Sequence, residues 1–310
     1  MNKRILINFP TNIGDVILAL PVVDRLRSLY PNSPITAIAS QRTKSFLSVH
    51  SFIGKVILFD KRWPPRIKLQ FTLSLRGKFD VVVDLKNSLL PFIIHAGWHT
   101  PFIRFFRRDQ HITHRYLSLI KTLGESSQIT KGDVIIKEED RAKWDAMNIS
   151  GALAIGCSSQ FHLKQYPYDK LKRVVEMLSK EYPVLILGEE KERAFYRDIL
   201  TIEGVVDLVG KTTLVDVFYI LKEYCRLLIA VDSSLMHMAG YLNVPVVALF
   251  GPTSPGRSYP LSDKSIILQK TGVDCIPCED TVCVRDHACM NIGPHTVLGA
   301  VKNIIADERA

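Results

Sequence analysis

Short apolar runs alternate with amphipathic segments along this chain. In the first half, four runs rich in β-branched residues predict strands, at residues 4–9, 34–39, 55–59 and 80–85. Five such runs follow in the second half, at residues 152–156, 183–188, 205–209, 226–231 and 245–250. Segments between the runs carry apolar residues at helical spacing, as at residues 16–29, 168–181, 191–200, 214–223 and 235–241. This alternation predicts the α/β fold class.

Each half of the chain is predicted to hold a mainly parallel sheet. The runs carry little internal charge, as expected of parallel strands that are buried on both faces. We therefore expect two Rossmann-like, doubly wound domains, at residues 1–148 and 149–310. The boundary between them falls in the polar stretch at residues 137–150.

The composition is that of an ordinary globular protein. Of the 310 residues, 47% are hydrophobic and 23% are charged, which excludes an intrinsically disordered chain. No apolar run approaches the roughly 18 residues that span a membrane, and the first apolar run is too short for a signal peptide. We therefore expect a cytoplasmic protein.

Charge is distributed unevenly between the two halves. Residues 1–150 contain 23 Lys and Arg against 12 Asp and Glu, a net charge of +11. Residues 151–310 contain 17 against 19, a net charge of −2. A basic half beside a near-neutral half suggests contact with nucleic acid, a phosphorylated lipid or a membrane face. Charge that merely maintains solubility is the alternative.

Polar residues stand where the apolar runs end, which is where open α/β sheets bind their ligands. The first run ends shortly before Gly14 and Asp15, at the start of a predicted helix. The helix dipole favours the ionised carboxylate of Asp15 there, so Asp15 could accept a proton as a base. Capping of the helix is the alternative role for Asp15.

The run at residues 226–231 is followed by Asp232, two serines and a histidine. The backbone amides of Ser233 and Ser234 would open the next helix and point at a diphosphate. His237 lies one turn further along and could reach the same anion. This segment is the strongest signal for a nucleotide site.

Two further strand ends carry candidate ligands for a nucleotide. After the first strand of the second half, Ser158 and Ser159 offer hydroxyls and Lys164 offers a positive charge for phosphate. A solvated loop is the alternative there. After Gly188, acidic residues at 189–192 could bind a ribose hydroxyl or simply complement a helix dipole.

Four cysteines lie close together near the C-terminus. Cys275, Cys278, Cys283 and Cys289 form a C-x2-C-x4-C-x5-C array. Four thiolates at such spacing could hold a structural zinc ion in a tetrahedral site. Reduced thiols or an occasional disulfide are the alternatives.

One segment imitates a phosphate-binding P-loop. Five residues separate Gly204 from Gly210, whereas a P-loop has four. Residues 207–209 also have the pattern of a strand rather than a loop. We therefore predict no ATPase site here.

In combination, these motifs resemble those of the glycosyltransferase family 9 heptosyltransferases, which build the inner core of lipopolysaccharide. The resemblance spans nearly the whole chain and is carried by residues 14–21, 208–214, 232–237, 250–255 and 275–292. It implies the GT-B architecture, with two Rossmann-like domains facing a central cleft. The N-terminal domain would take the acceptor and the C-terminal domain the nucleotide-sugar donor, with the last helix able to pack back on the N-terminal domain.

The resemblance also implies a reaction and its residues. An inverting transferase would move heptose from ADP-heptose to a phosphorylated lipid or oligosaccharide acceptor, either lipid A–Kdo or heptosylated core, with no required cofactor. Asp15 would be the general base and Lys164 would bind the donor diphosphate. Glu192, with Glu189 as runner-up, would bind the ribose. Asp232, the amides after it and His237 would complete the donor site.

A basic and aromatic cluster is the candidate acceptor surface. Arg104, Arg107 and Arg108 stand among Trp98 and three phenylalanines. Such a cluster would suit an anionic amphiphile at the inner face of the cytoplasmic membrane, where the protein would associate peripherally. A packed loop with solvated arginines is the alternative.

Two rival functions remain open from the residues. One is a GT-B transferase that uses another sugar nucleotide for a different surface glycan. The other is a basic, zinc-containing nucleic-acid-binding protein. Against the second, the cysteine array lies in the near-neutral half and no recognition motif accompanies it. We therefore expect no nucleic-acid partner.

Overall fold

The computed structural model describes residues 2–107, 109–126, 128–278, 280 and 282–307. The chain divides into two compact units, Met1–Ile135 and Ile136–Ala310. Each unit has its own parallel sheet with helices packed on it, which confirms the predicted α/β class with two doubly wound sheets. Within the described residues, no helix has the length and apolar character needed to cross a bilayer.

Five strands form the sheet of the first unit: β1 Ile5–Asn8, β2 Ile35–Ala39, β3 Ile53–Leu58, β4 Val81–Asp84 and β5 Trp98–His99. The helices are α1 Ile13–Leu29, α2 Lys44–Ser48, α3 Pro65–Ser74, α4 Leu90–Ile94 and α5 Ile112–Ser118. The strands lie in the order β3-β2-β1-β4-β5, and neighbouring strands are parallel. All four strands predicted in this half are confirmed. β5 has only two residues, too few to give a recognisable pattern.

The faces of this sheet are covered because its strands are apolar on both sides. Every residue of β1, β2 and β4 is buried. On one face, Leu75 after α3 and Leu90 and Ile94 of α4 pack in a cluster with strand residues that include Leu6 and Val82. α1 packs against α5, where the Thr113 hydroxyl donates to the Leu18 carbonyl at 2.8 Å.

Six strands form the sheet of the second unit: β6 Ala152–Gly156, β7 Val184–Ile186, β8 Val205–Asp207, β9 Cys225–Val231, β10 Val246–Phe250 and β11 Ser265–Gln269. The helices are α6 Glu138–Asp145, α7 Tyr168–Leu178, α8 Arg193–Tyr196, α9 Leu214–Glu223, α10 Ser234–Leu242, α11 Pro255–Ser258 and α12 Pro294–Ala306. The strand order is β11-β10-β9-β6-β7-β8, again with parallel neighbours. All five strands predicted here are confirmed.

One predicted helix of this half is broken. The segment 191–200 forms α8 between two 3-10 turns, Glu190–Glu192 and Arg197–Thr201. Arg197 has a φ of 33°, a left-handed value that interrupts regular helix geometry. The prediction of one continuous helix over residues 191–200 is therefore wrong.

Residues 136–148 fold with the second unit. Trp144 of α6 is 1% exposed, and its indole Nε1 donates to Asp216 Oδ1 of α9 at 2.9 Å. The prediction from sequence counted these residues with the first domain. At the other end of the unit, α12 packs on α7, β10 and β11.

Each sheet has one point at which the strand order reverses. In the first unit it lies between β1 and β4, and in the second between β6 and β9. Ligands of open α/β sheets bind beyond the carboxyl ends of the strands at such a point. The candidate site residues follow those strand ends.

Candidate functional site

The reversal point of the second unit brings Lys164 and Asp232 together. Lys164 lies in the 3-10 turn His162–Lys164 after β6, and Asp232 directly follows β9. Because β6 and β9 are neighbours, the two side chains meet, with Lys164 Nζ 2.7 Å from Asp232 Oδ2. The side chains are 23% and 8% exposed, so this ion pair is largely shielded from water.

Asp232 also accepts hydrogen bonds from the segment after β10. The hydroxyl of Thr253 donates to Asp232 Oδ2 at 2.8 Å, and that of Ser258 donates to Oδ1 at 3.2 Å. His237 Nε2 lies 3.8 Å from Oδ1. Burial alone would raise the pKa of Asp232, but the charges of Lys164 and His237 and the hydrogen bonds outweigh it and hold the pKa below its ordinary value. Asp232 is therefore an ionised carboxylate that holds several neighbouring side chains in place.

Thr253 and Ser258 are site residues that sequence reasoning missed. Thr253 stands in the Gly-Pro-Thr-Ser segment after β10, so its position after a buried strand was the available signal. Ser258 lies at the end of the four-residue helix α11. Its approach to Asp232 depends on tertiary folding and has no local pattern.

The N-terminus of α10 adjoins Asp232. Ser233 is the N-cap residue, and the helix begins at Ser234. The N–H groups that lack intrahelical acceptors are those of Ser233 and of the first three helical residues, 234–236. They include both amides that the sequence analysis named. The Ser233 hydroxyl is buried without a hydrogen-bond partner within the described structure. A helix N-terminus with an unused hydroxyl is suited to binding an anion.

Ser158 and Ser159 lie in the loop after β6, but both hydroxyls make local bonds. Ser158 Oγ accepts a hydrogen bond from the Tyr196 hydroxyl at 3.0 Å, and the backbone N–H of Ser158 donates to the Tyr196 hydroxyl oxygen at 3.2 Å. Ser159 Oγ accepts from the N–H of Phe161 at 3.2 Å. These contacts shape the loop that carries Lys164.

The acidic residues after β7 lie at the same sheet edge. Glu192 Oε2 accepts from the backbone N–H of Glu189 at 2.7 Å. Glu189 Oε1 accepts from Gln160 Nε2 at 3.0 Å, which joins the loops after β6 and β7. The Glu192 carboxylate thus caps the start of the 3-10 turn Glu190–Glu192. The Glu189 carboxylate contacts the loop after β6, which also carries Lys164.

Asp15 follows β1 in the first unit, in the first turn of α1. Asn12, not Asp15, is the N-cap residue, so the alternative role of Asp15 as the N-cap is wrong. Asn12 Nδ2 donates to Asp15 Oδ2 at 3.2 Å. Burial raises the pKa of Asp15, and the hydrogen bond from Asn12 only partly opposes that effect. A carboxylate with a raised pKa is a better proton acceptor.

Asp84 is a buried acid that the sequence reasoning missed. It ends β4, next to β1 at the reversal point of the first sheet, and is 0% exposed. Asn8 Nδ2 donates to Asp84 Oδ1 at 2.7 Å, and the N–H of Ser88 donates to Oδ2 at 2.5 Å. Arg104 Nη2 donates to the Asp84 carbonyl at 2.6 Å and lies 3.7 Å from Oδ2.

The described arginines of the predicted basic cluster differ in exposure to solvent. The Arg104 side chain is 7% exposed because it is held against Asp84. Arg107 is 83% exposed and pairs with Asp109 at 3.0 Å. Arg108 lies outside the described residues. Arg104 and Arg107 therefore do not share one solvated basic surface, because Arg104 is held within the fold.

The four cysteines of the array do not fit a zinc site as arranged. Across the described residues, no group of three or more His, Cys, Asp or Glu is placed to hold a metal ion. Cys283 Sγ instead accepts from the backbone N–H groups of Arg285 and His287, both at 3.4 Å. None of the chain's six cysteines, all described, is disulfide-bonded.

The segment that imitates a P-loop is a strand between two turns. β8 runs between Gly204 and Gly210, whose φ values are 81° and 70°. Lys211 Nζ lies 2.7 Å from Asp207 Oδ2, so it is engaged within the fold. Residues 207–209 were predicted as strand, but only Asp207 belongs to β8, and residues 208–209 lie in the connection and turn that follow it. The prediction of strand is therefore wrong for residues 208–209.

Comparison with known proteins gives a consistent result. The family model described as glycosyltransferase family 9 (heptosyltransferase) matches residues 69–289. Lipopolysaccharide heptosyltransferase 2 of Escherichia coli K12 is 30% identical over 356 residues, which cover 99% of this chain and 100% of the relative. Lipooligosaccharide heptosyltransferase 2 of Haemophilus influenzae is 27% identical over 306 residues, which cover 86% and 88%.

A solved structure supports the fold independently. The structure described as E. coli ADP-heptose lps heptosyltransferase II superimposes with a TM-score of 0.79 at 21% identity, covering 99% of this chain and 100% of that one. This likeness shows a shared fold, so the GT-B prediction of two Rossmann-like domains is confirmed.

Proposed function

The chain belongs to glycosyltransferase family 9, and on that premise we propose that it moves a heptose from ADP-heptose to a hydroxyl of the lipopolysaccharide inner core. Its relatives are named as lipopolysaccharide and lipooligosaccharide heptosyltransferases. The E. coli protein that shares its fold is named with ADP-heptose. These names support both the donor and the class of acceptor.

The single observation that carries the proposal is the Lys164–Asp232 pair beside the N-terminus of α10. Negative charge builds on the ADP leaving group as the bond to the sugar breaks. The first-turn amides of α10 and the ammonium of Lys164 would stabilise that charge. His237 would add a further donor. Asp232 would hold Lys164 and His237 in place while Glu192, with Glu189 as runner-up, binds the ribose.

Proton transfer is the role of Asp15 in this proposal. Its carboxylate takes the proton from the acceptor hydroxyl, and that oxygen attacks the anomeric carbon on the face opposite ADP. The carbon–oxygen bond to ADP breaks as the new glycosidic bond forms, which inverts the configuration. The transition state resembles an oxocarbenium ion, as in glycoside hydrolysis. The raised pKa of Asp15 supports this assignment.

We propose that turnover needs no divalent metal or other cofactor. Lys164 and the amides of α10 supply the positive electrostatic potential that a metal would otherwise supply to a diphosphate. The acceptor would be lipid A–Kdo or the heptosylated core. Because such acceptors are anchored in a bilayer, the protein would work in the cytoplasm at the inner face of the cytoplasmic membrane. Transfer from another sugar nucleotide to a different surface glycan is the competing proposal.

Calorimetric titration tests the donor. Wild-type protein is titrated with ADP-heptose, ADP-glucose, UDP-glucose and GDP-mannose, and ADP-heptose should bind most tightly. Lys164→Met should weaken that binding, whereas Lys180→Met, an exposed lysine elsewhere in the second unit, should leave it unchanged. Preference for a donor without ADP would overturn the heptosyl proposal.

A further inference from the structure

Exposed apolar side chains are concentrated in one part of the first unit. Eight of the fifteen large hydrophobic residues found exposed within the described ranges lie between residues 67 and 105. They belong to α3, to α4 and the residue before it, and to the loop after β5. Isolated exposed apolar side chains are normal, but contiguous ones mark an interaction surface.

These elements are contiguous in space. α3 packs against α4, and both cover the same face of the sheet. Phe92 of α4 contacts Phe102 of the following loop, with ring centroids 5.7 Å apart. Leu69 and Leu73 of α3, which are 52% and 46% exposed, stand one turn apart on the helix face that points away from buried Leu75 and partly buried Phe71.

The loop after β5 presents the most exposed apolar side chains of this surface. Ile103 is 71% exposed and Phe105 is 91% exposed. Arg104 between them is turned inward and held by Asp84 at the end of β4. The buried arginine therefore fixes the loop while its two neighbours project outward. β4 adjoins β1, so the loop is anchored at the sheet edge from which Asp15 follows.

The surrounding charge points to an anionic partner. The first unit contains 20 Lys and Arg against 8 Asp and Glu, a net charge of +12. Residues 61–79, which include α3, contain six Lys and Arg and no acid. Arg66 and Arg76 bracket Leu69 and Leu73 along this segment. Apolar side chains flanked by cations bind the interface of membranes that contain anionic lipids.

We propose that this surface docks the protein on an anionic lipid bilayer, with Ile103 and Phe105 inserted among the lipids and the cations of α3 on the headgroups. The docking face is defined by Leu69, Leu73, Phe92, Ile103 and Phe105. It rests on the proposed function in one respect: a lipid-linked acceptor gives the enzyme a reason to be at a membrane. Docking at this edge would bring the sugars of such an acceptor toward Asp15.

Vesicle flotation tests the docking face directly. Purified full-length protein is mixed with vesicles of phosphatidylethanolamine and phosphatidylglycerol, or of phosphatidylcholine alone, and floated at low and high salt. Wild type should float with the anionic vesicles, and salt should reduce the bound fraction. The double variant Ile103→Ser/Phe105→Ser should bind them about tenfold more weakly, because the inserting apolar groups are gone.

The second unit offers a matched control. Val282 and Val284 are 71% and 90% exposed, almost the same exposures as Ile103 and Phe105. The variant Val282→Ser/Val284→Ser should float like wild type. Equal losses in both double variants would show a nonspecific effect of surface polarity and would overturn the proposal.

Insertion has a spectroscopic signature of its own. In a Phe105→Trp variant, the emission of the new tryptophan, taken as the difference from wild type, should shift to the blue on anionic vesicles. Lipids with brominated acyl chains should quench this emission. No quenching in a protein that floats would overturn insertion at this loop. If wild type does not float and light scattering shows that the serine variant dissociates a dimer, the face binds a second copy of the chain instead.

These results are independent of the donor. Failure of the wild-type protein to float with anionic vesicles, together with normal ADP-heptose binding, would refute the docking face and leave the proposed function standing. Normal flotation of wild type, together with preference for another sugar nucleotide, would support the docking face and refute the proposed function.

Discussion

Lys164 Nζ lies 2.7 Å from Asp232 Oδ2, where β6 and β9 meet at the reversal point of the second sheet. The pair joins residues 68 positions apart. Its environment is polar on the Asp232 side, since Thr253 and Ser258 donate to the same carboxylate. The pair therefore contributes to the stability of the second unit and also positions Lys164 at the candidate anion site.

Lys164→Ala should lower the free energy of unfolding by about 1–3 kcal/mol, because it leaves a buried carboxylate with one fewer charged partner. Asp232→Asn in the same chain should recover part of that loss. Urea unfolding of the four proteins in this double-mutant cycle measures the coupling. Additive effects of the two substitutions would contradict the pairing.

The acid stability of the second unit should depend on Asp232. Its pKa is lowered in the folded state, so its contribution is present above the unfolded pKa, roughly 3.9, and is lost as the pH falls through the folded pKa. Asp232→Asn should therefore show a weaker fall in unfolding free energy than wild type on acidification below about pH 5. Parallel pH curves would contradict the assignment.

Asp15→Asn should abolish most transfer and leave nucleotide binding unchanged. Loss of a general base costs about 10²- to 10⁴-fold in kcat. Because burial raises the pKa of Asp15, ionisation at neutral pH opposes folding, so the same variant should be at least as stable as wild type. In wild type, kcat/KM should fall as the pH drops through the raised pKa. A variant that is both active and less stable would show that Asp15 is structural.

Arg104 and Arg107 should contribute very differently to the free energy of unfolding, although they are only three positions apart in the sequence. Arg104→Ala leaves Asp84 buried without its guanidinium partner and should cost about 3–5 kcal/mol of unfolding free energy. Arg107→Ala removes an exposed pair with Asp109 and should cost less than about 1 kcal/mol. Urea titrations of both variants measure the difference. Similar costs would contradict the inward position of Arg104.

The fold was accessible to sequence reasoning because parallel strands buried on both faces give short, continuous apolar runs. β11 escaped it because its residues at the sheet edge are only half-buried. Asp15, Lys164 and Asp232 could be predicted as site residues because each follows an apolar run that forms a strand beside a reversal point.

Contacts that depend on distant partners could not be predicted. Arg104 stands among aromatic residues in sequence, which suggested a solvated basic surface, but Asp84 lies 20 positions earlier and draws it inward. The placement of α6 depends in the same way on the bond from Trp144 to Asp216, 72 positions away. Neither partner leaves a local pattern.

Transfer to a defined acceptor is the most direct test of the central claim. The protein is incubated with ADP-heptose and lipid A–Kdo in EDTA, and again with magnesium, and the acceptor is followed by mass spectrometry. The account predicts gain of one heptose at equal rates in both buffers, with inverted anomeric configuration. No heptose gain with either lipid A–Kdo or heptosylated core, together with transfer from a non-ADP sugar nucleotide, would contradict it.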